Sequence, residues 1–254
     1  MQWGMTHRTR PDIVVISILA FLVFWVVLAW FKADESVLPY PWDVAQIFEN
    51  ELWDGDMIRH ANATLVRVLA AFSISMLVGC AIGVALGVSP WFERIVTPWV
   101  VIFQNTPALV VIVLCYLWIG LNEVAAIAAV SINKTAMVAV TIREGAKNLN
   151  RPLSEMAQIY HFGRVKTLRF VIIPQLVPYL FAAARNGLAV IWKIVLVVEF
   201  LGRSNGIGFQ IHLYFQMFDV ATVMAYSFGF VAVMGVIEYA ILQPIERRMT
   251  RWRA

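Results

Sequence analysis

Lys134, Arg185, Lys193 and Glu199, with Asn133 beside the first of them, are the residues whose chemistry this sequence makes conspicuous, because each stands inside a run of apolar residues. At the middle of a membrane helix an ionised side chain costs roughly 2.5–3.5 kcal/mol. Such groups pair with one another, line a polar pathway, or reach an interface along their apolar stems. At about 100° per residue, Lys193 lies about 80° to one side of Arg185 and Glu199 about 40° to the other, so one face of the helix that carries them is polar. Packing and pathway lining are both open readings from these residues alone. Asn105 and Thr106, just before Pro107 in another apolar run, join the pathway candidates. A proline there frees backbone groups that neighbours or water must satisfy, and non-helical backbone at membrane depth lines cavities.

The elements that must position these residues are apolar helices. Of the 254 residues 61% are hydrophobic and only 14% charged, with a mean hydropathy of +0.74, which is the composition of a polytopic membrane protein. A crossing needs about 20 helical residues. Six stretches satisfy that: Ile13–Phe31, Leu65–Val88, Val96–Ile119, Val124–Ile142, Leu176–Leu201 and Val220–Leu242, the third interrupted at Asn105, Thr106 and Pro107. The first reads as a retained anchor, since its apolar run exceeds that of a signal peptide and no small-residue cleavage site follows.

Lysine and arginine in the short loops set orientation. Arg8 and Arg10, Arg94, the group Arg143, Lys147, Arg151, Arg164, Lys166 and Arg169, and the terminal Arg247, Arg248, Arg251 and Arg253 all fall on one side. The alternate loops hold Lys32, Arg59 and Arg203, with seven acidic residues between Asp34 and Asp56. Both termini are therefore expected in the cytoplasm, and the net charge of +4 belongs to these loops rather than to a nucleic-acid surface. The chain reads as one membrane domain: a tail (1–12), the first span (13–31), an external segment (32–64), a core of five spans (65–242) with a long polar loop (143–175), and a second tail (243–254). In the external segment, Val44, Ile47, Phe48, Leu52 and Trp53 recur at helical spacing and predict an interfacial helix lying on the bilayer. Arg67 and Glu238, near the ends of their spans, are expected to snorkel. Gly79, Gly83 and Gly87 repeat every fourth residue and predict a groove for close helix packing.

Catalytic signatures are thin. No H-E-x-x-H, G-x-S-x-G or G-x-x-x-x-G-K-[ST] pattern occurs, and the four histidines, His7, His60, His161 and His212, fall outside the expected core. Cys80 and Cys115 lie in apolar spans as small hydrophobes and make no metal site. Any ATP-driven work must be powered by another chain.

The loop Glu155–Pro174, EMAQIYHFGRVKTLRFVIIP, is polar, basic and helical in pattern between two apolar spans. It resembles the cytoplasmic signature loop of permease subunits from binding-protein-dependent ABC importers: Glu155, Met156 and Ala157 stand for E-A-A, and Val171 to Pro174 for I-x-L-P at the right spacing. The usual glycine is His161, and Gly163 is expected to take over the turn. Across nearly the whole chain, LPYPWDVAQIF, HANATLVRVLAAF, NTPALVVIVLCYLWIG, SNGIGFQI and PIERRMTRWR resemble the nitrate/sulfonate/taurine type.

That resemblance implies an all-α, six-span permease fold in a bacterial-type inner membrane, with a coupling helix between spans four and five. It implies a homodimer of this chain, two ATPase subunits that carry the ATP and magnesium, an external solute-binding protein, and no cofactor on this chain. Ser154, Glu155, Ala157, Gln158, His161, Gly163, Arg164 and Pro174 become the expected ATPase-coupling residues. The expected solute is a small anion such as sulfonate, taurine or nitrate; the alternatives are a thiamine-precursor pyrimidine or other small organic solute and, from a different class, an ion-coupled carrier or channel.

Overall fold

The computed structural model describes residues 11–242, apart from 33 and 35, together with 244. The two tails, Ser154 and Arg164 as side chains, and Arg247 onward lie outside the described set. Among the described residues every regular element is helical. In order they are α1 (Pro11–Lys32), α2 (Pro41–Trp53), α3 (Met57–Val88), α4 (Pro90–Asn105), α5 (Ala108–Ile119), α6 (Glu123–Lys147), α7 (Arg151–Ile159), α8 (Arg164–Thr167), α9 (Ile173–Gly202), α10 (Ile207–Gln216) and α11 (Val220–Ile237). Five-residue π-helical stretches join α8 to α9 (Leu168–Ile172) and continue α11 (Glu238–Leu242).

The α3–α6 contact organises the rest. Gly79 faces Val138, Gly83 faces Ala139 and Ile142, and Gly87 faces Ala146. Numbers rise together on both helices, so α3 and α6 run in the same direction through the bilayer. Two parallel crossings require a return crossing between them, which only α4 and α5 can make. At 1.5 Å per residue their 16 and 12 residues span about 24 and about 18 Å, each short of the roughly 30 Å of a hydrocarbon core. The third crossing is therefore made by two helices bent by 98°, broken where the sequence placed the interruption.

The break has a local cause. Pro107 pushes Thr106 into extended backbone (φ −71°, ψ 125°). The last turn of α4 then receives extra donors, Asn105 Nδ2 to Val101 O and Thr106 Oγ1 to Ile102 O, both at 2.8 Å. The half-crossing α5 packs Val111, Ile112, Cys115 and Tyr116 against α3, α6 and α9, and Tyr116 Oη donates to Val198 O at 2.8 Å.

On α9, the level of Gly145 is reached at Tyr179 and that of Arg67 at Glu199, so α9 runs opposite to α3 and α6. One end of the bundle thus carries residues 148–163, the loop face; the other, the far face, carries α2, α10 and residues 203–206. The second helix does more than lie on the bilayer: Val44 is buried, Phe48 packs on Gly229, and Tyr226 Oη donates to Glu51 at 2.6 Å. Trp53, expected on that apolar face, is exposed. The first helix is held at the edge through Trp25, which donates to Pro39 O at 3.0 Å and packs on Phe228.

A β-carbon at position 83 would stand 2.7 Å from Ala139 O and from Ile142 Cβ. Gly83→Val should therefore lower stability by about 1–3 kcal/mol, read as a lower thermal unfolding midpoint of the detergent-solubilised chain; an unchanged midpoint would remove the glycine groove from this account.

Candidate functional site

Three groups of residues carry the chemistry. The first is the loop-face segment built on α7. Pro152 stands in the first turn of α7, where a missing N–H costs nothing. Asn150 occupies the cap position without a side-chain cap bond, and its backbone N–H donates to Gln175 Oε1 at 2.7 Å. Ala157 is buried and pins the helix, whereas Glu155 and Gln158 are exposed beside the apolar Met156, Ile159 and Tyr160.

The helix ends in a Schellman arrangement: Phe162 N–H donates to Ala157 O at 2.8 Å and His161 N–H to Gln158 O at 3.0 Å. His161 itself takes the left-handed conformation, φ 50°. The expectation that Gly163 would make this turn is therefore corrected: the histidine sits in the glycine conformation, and Gly163 lies in open surroundings without a positive φ. Pro174 falls in the first turn of α9, directly after the π-helical stretch.

The second group is a polar stripe on α9. Arg185, Asn186 and Lys193 are exposed on one side of this protomer, and Arg185 Nε lies 3.5 Å from Glu238 Oε1. Lys193 Nζ lies 5.5 Å from the centre of the Trp192 ring. Glu199, grouped with these by helical angle, does not share their surroundings: it is 0% exposed and faces α3. Fourteen residues of helix, about 21 Å, separate it from Arg185. At mid-bundle, Lys134 is buried next to Met137 Sδ at 3.9 Å, with no carboxylate partner among the described residues. Asn133 Nδ2 reaches Thr106 O at the α4–α5 break, at 3.5 Å.

The third group, at the far face, is a buried ion cluster. Arg67 is 4% exposed rather than snorkelling. Its guanidinium forks onto Glu123 (Nε to Oε2 2.8 Å, Nη2 to Oε1 2.7 Å) and donates from Nη1 to Glu199 Oε1 at 2.6 Å. It also donates to the carbonyl oxygen and side chain of Asn205. Arg203 Nη2 donates to Glu123 Oε1 at 2.5 Å.

The same cluster closes the start of α10. The N–H groups of Gly206, Ile207 and Gly208, unpaired within the helix, donate to His60 Nδ1, Thr64 Oγ1 and Glu199 Oε2, each at 2.9 Å. Gly206 holds φ 110°, and a β-carbon there would overlap the Glu199 carboxylate. His60, expected outside the core, is thus buried and used as an acceptor. The cluster was missed because its members come from α3, α6, α9 and the 203–206 loop. The signal was an arginine and a glutamate of opposite charge at matching depths in two apolar runs.

Five long apolar helices and one bent pair, with a basic, partly apolar loop segment and a polar helix face, define a polytopic membrane protein. The family model described as "Binding-protein-dependent transport system inner membrane component" matches residues 75–251. The chain belongs to that family. Among its relatives, the taurine transport system permease protein TauC of Escherichia coli (strain K12) is 26% identical, covering 99% of this chain and 92% of that protein. The riboflavin transport system permease protein RibX of Chloroflexus aurantiacus is 27% identical, covering 94% and 89%. An inward-facing structure of the MetNI methionine ABC transporter superposes with a TM-score of 0.67 at 21% identity, covering 76% of this chain and 95% of that one.

Replacing Arg67 with methionine leaves Glu199 as a buried carboxylate without its counter-charge. Arg67→Met should cost about 3–5 kcal/mol, measured by chemical denaturation in detergent; a loss below about 1 kcal/mol would place Arg67 with exposed ion pairs instead. At the other face, His161→Gly should relieve roughly 1–2 kcal/mol of left-handed backbone cost. Slower hydrogen exchange at the amides of His161 and Phe162 is the expected outcome, and faster exchange would count against it.

Proposed function

We propose that this chain is the permease subunit of an ATP-driven importer, acting as a homodimer with one ATPase subunit docked beneath each copy and an external binding protein delivering the solute. Family membership and the fold shared with the MetNI transporter support this assembly. The observation that carries it is the α7 segment: a short helix pinned by Ala157, capped at its C-terminal end, and presenting Glu155, Gln158, Met156 and Ile159 to a partner from the loop face. Its basic surroundings support a cytoplasmic loop face. ATP and magnesium belong to the partner. Ser154, Glu155, Ala157, Gln158, His161, Gly163, Arg164 and Pro174 form the docking segment and its turn.

The transport pathway runs along the α9 stripe. Charged side chains on an outward face at membrane depth are too costly against lipid, so Arg185, Asn186 and Lys193 face a second copy and the water-filled passage between the two. Asn105, Thr106, Asn133 and Lys134 mark the mid-membrane level of the same passage, whereas Glu199 serves as the far-end anchor. The cationic bias of the stripe favours a small anion, and the taurine permease among the relatives supports a sulfonate. When two ATPases close on ATP, the paired α7 segments move together and drive the spans between inward- and outward-open states.

Affinity purification of the tagged chain from its own membranes in mild detergent should recover an ATPase subunit, and Glu155→Ala should preserve the dimer while lowering solute-stimulated ATP hydrolysis several-fold. Recovery of this chain alone, with uptake surviving ATP depletion, would favour an ion-coupled carrier; unaltered stimulation in Glu155→Ala would move the coupling contact elsewhere.

A further inference from the structure

The start of α10 is fastened by three acceptors of different kinds. Ile207 N–H donates to the Thr64 hydroxyl, which does not titrate, and Gly208 N–H to Glu199, whose charge Arg67 answers. Gly206 N–H donates to His60 Nδ1 at 2.9 Å. His60, Thr64 and Arg67 stand at i, i+4 and i+7 on one face of α3, so a single edge of that helix meets the whole turn from Asn205 to Ile207.

The histidine differs from its neighbours because its acceptor can become a donor between about pH 5 and 8. A ring nitrogen that accepts the Gly206 N–H carries no proton, so in the neutral ring the proton is on Nε2. Nε2 has Arg59 Nη2 beside it at 3.5 Å, and a guanidinium offers no lone pair. A second proton, at Nδ1, therefore sets N–H against N–H on one side of the ring and leaves a cation on the other. The ring is 3% exposed and stacks on Phe209, so water reaches Nδ1 only if the turn moves. Among the described residues no carboxylate lies within ion-pair distance of the imidazole. The charged groups around it are Arg59 and Arg67 on α3 itself, Asp56 paired with Arg59 at 3.1 Å, Glu51 of α2 bonded to Tyr226 of α11, and Glu199 of α9 bonded to Arg67.

We propose that His60 is a pH-sensitive latch on the far face: unprotonated it holds the turn before α10 closed on α3, and protonated at Nδ1 it lets that turn go. Once the acceptor is lost, the Gly206 N–H is a buried donor without a partner, and opening to water relieves it. The open turn binds one more proton than the closed one, so closure is strongest at high pH and weakens as pH falls. The opening equilibrium rises up to about tenfold for each pH unit below the value of an exposed histidine, about 6.5. With the loop face in the cytoplasm, as proposed above, the latch meets the outside medium. The inference goes beyond the importer reading and does not depend on it.

The test is amide hydrogen exchange read by mass spectrometry on the full chain in lipid nanodiscs, with the subunits that purify alongside it, from about pH 8 to about pH 4, each rate divided by the intrinsic rate at that pH. Protection of the Gly206, Ile207 and Gly208 amides should be constant above about pH 7 and fall roughly tenfold or more by about pH 5, while the α3–α6 seam around Gly83 keeps its protection. His60→Asn, whose amide oxygen reaches the place of Nδ1 and does not titrate, should abolish the pH dependence. His60→Leu, with no acceptor, should lower protection at every pH. Flat protection in the unmodified chain, or the same acid loss in His60→Asn, would overturn the proposal, the second result assigning the effect to the carboxylates around Glu199. Where His60→Asn does not assemble, the onset in the unmodified chain decides: loss beginning near pH 6.5 supports the latch, and loss beginning only below about pH 5, where carboxylates titrate, overturns it.

Discussion

A carboxylate with no exposed surface inside a membrane bundle is tolerable only if every one of its oxygens is answered, and Glu199 is answered by three groups from two other helices. Arg67 supplies the counter-charge, Thr64 a hydroxyl, and Gly208 the N–H of a helix start. The requirement runs both ways. Arg67 is itself buried, so it needs Glu123 from the start of α6 as well as Glu199, and Glu123 in turn draws in Arg203. Removing Arg67 leaves Glu199 a buried charge whose desolvation is no longer offset. The far ends of α3, α6 and α9 and the start of α10 are thereby tied at one point, and the close α3–α6 seam along Gly79, Gly83 and Gly87 extends that tie to the loop face.

The two ends of the bundle are consequently built on different physics. At the far face the groups are ionic and bonded to one another around the buried Arg67 and Glu199. At the loop face α7 is short, half-apolar and exposed, and it is fixed mainly by Ala157 and by the bond from the Asn150 N–H to Gln175. Between them lies the α9 stripe, polar yet outward-facing in a single protomer. A stripe of that kind is incomplete by itself, because lipid cannot solvate it. The architecture of one chain thus calls for a second chain across the membrane, in the same way that the exposed α7 calls for one below it.

Much of this was legible in the amino-acid order, and the parts that were not share a cause. Apolar runs of sufficient length located every crossing, since burying backbone polar groups in hydrocarbon leaves helices as the open-ended solution. The glycine spacing in α3 announced close packing, because three small residues on one face serve no other helix-local purpose. Reading charges by angle on a single helix failed for Glu199: its partner Arg67 lies on another helix, and helical angle carries no information about neighbours. The same limit hid His60, which looked like a loop residue until the start of α10 was seen to need an acceptor. At His161 the motif pointed to a glycine conformation and the residue type pointed away from it; hydrogen bonds at both ends of the turn outweigh a cost of roughly 1–2 kcal/mol.

The tie at Glu199 sits three residues from the end of a helix 30 residues long. The other end is held by packing, Tyr179 on Gly145, and by the Asn150 N–H bond to Gln175; over about 40 Å of helix, a tilt of a few degrees about the ionic tie would displace the Pro174 end by several ångströms. The far-face cluster is thus placed as a fulcrum and α9 as its long arm, with the polar stripe spread along the arm. Residues nearer Pro174 sweep further than Lys193, so under the transport reading proposed above one tilt would widen the loop-face end of the passage more than its far mouth.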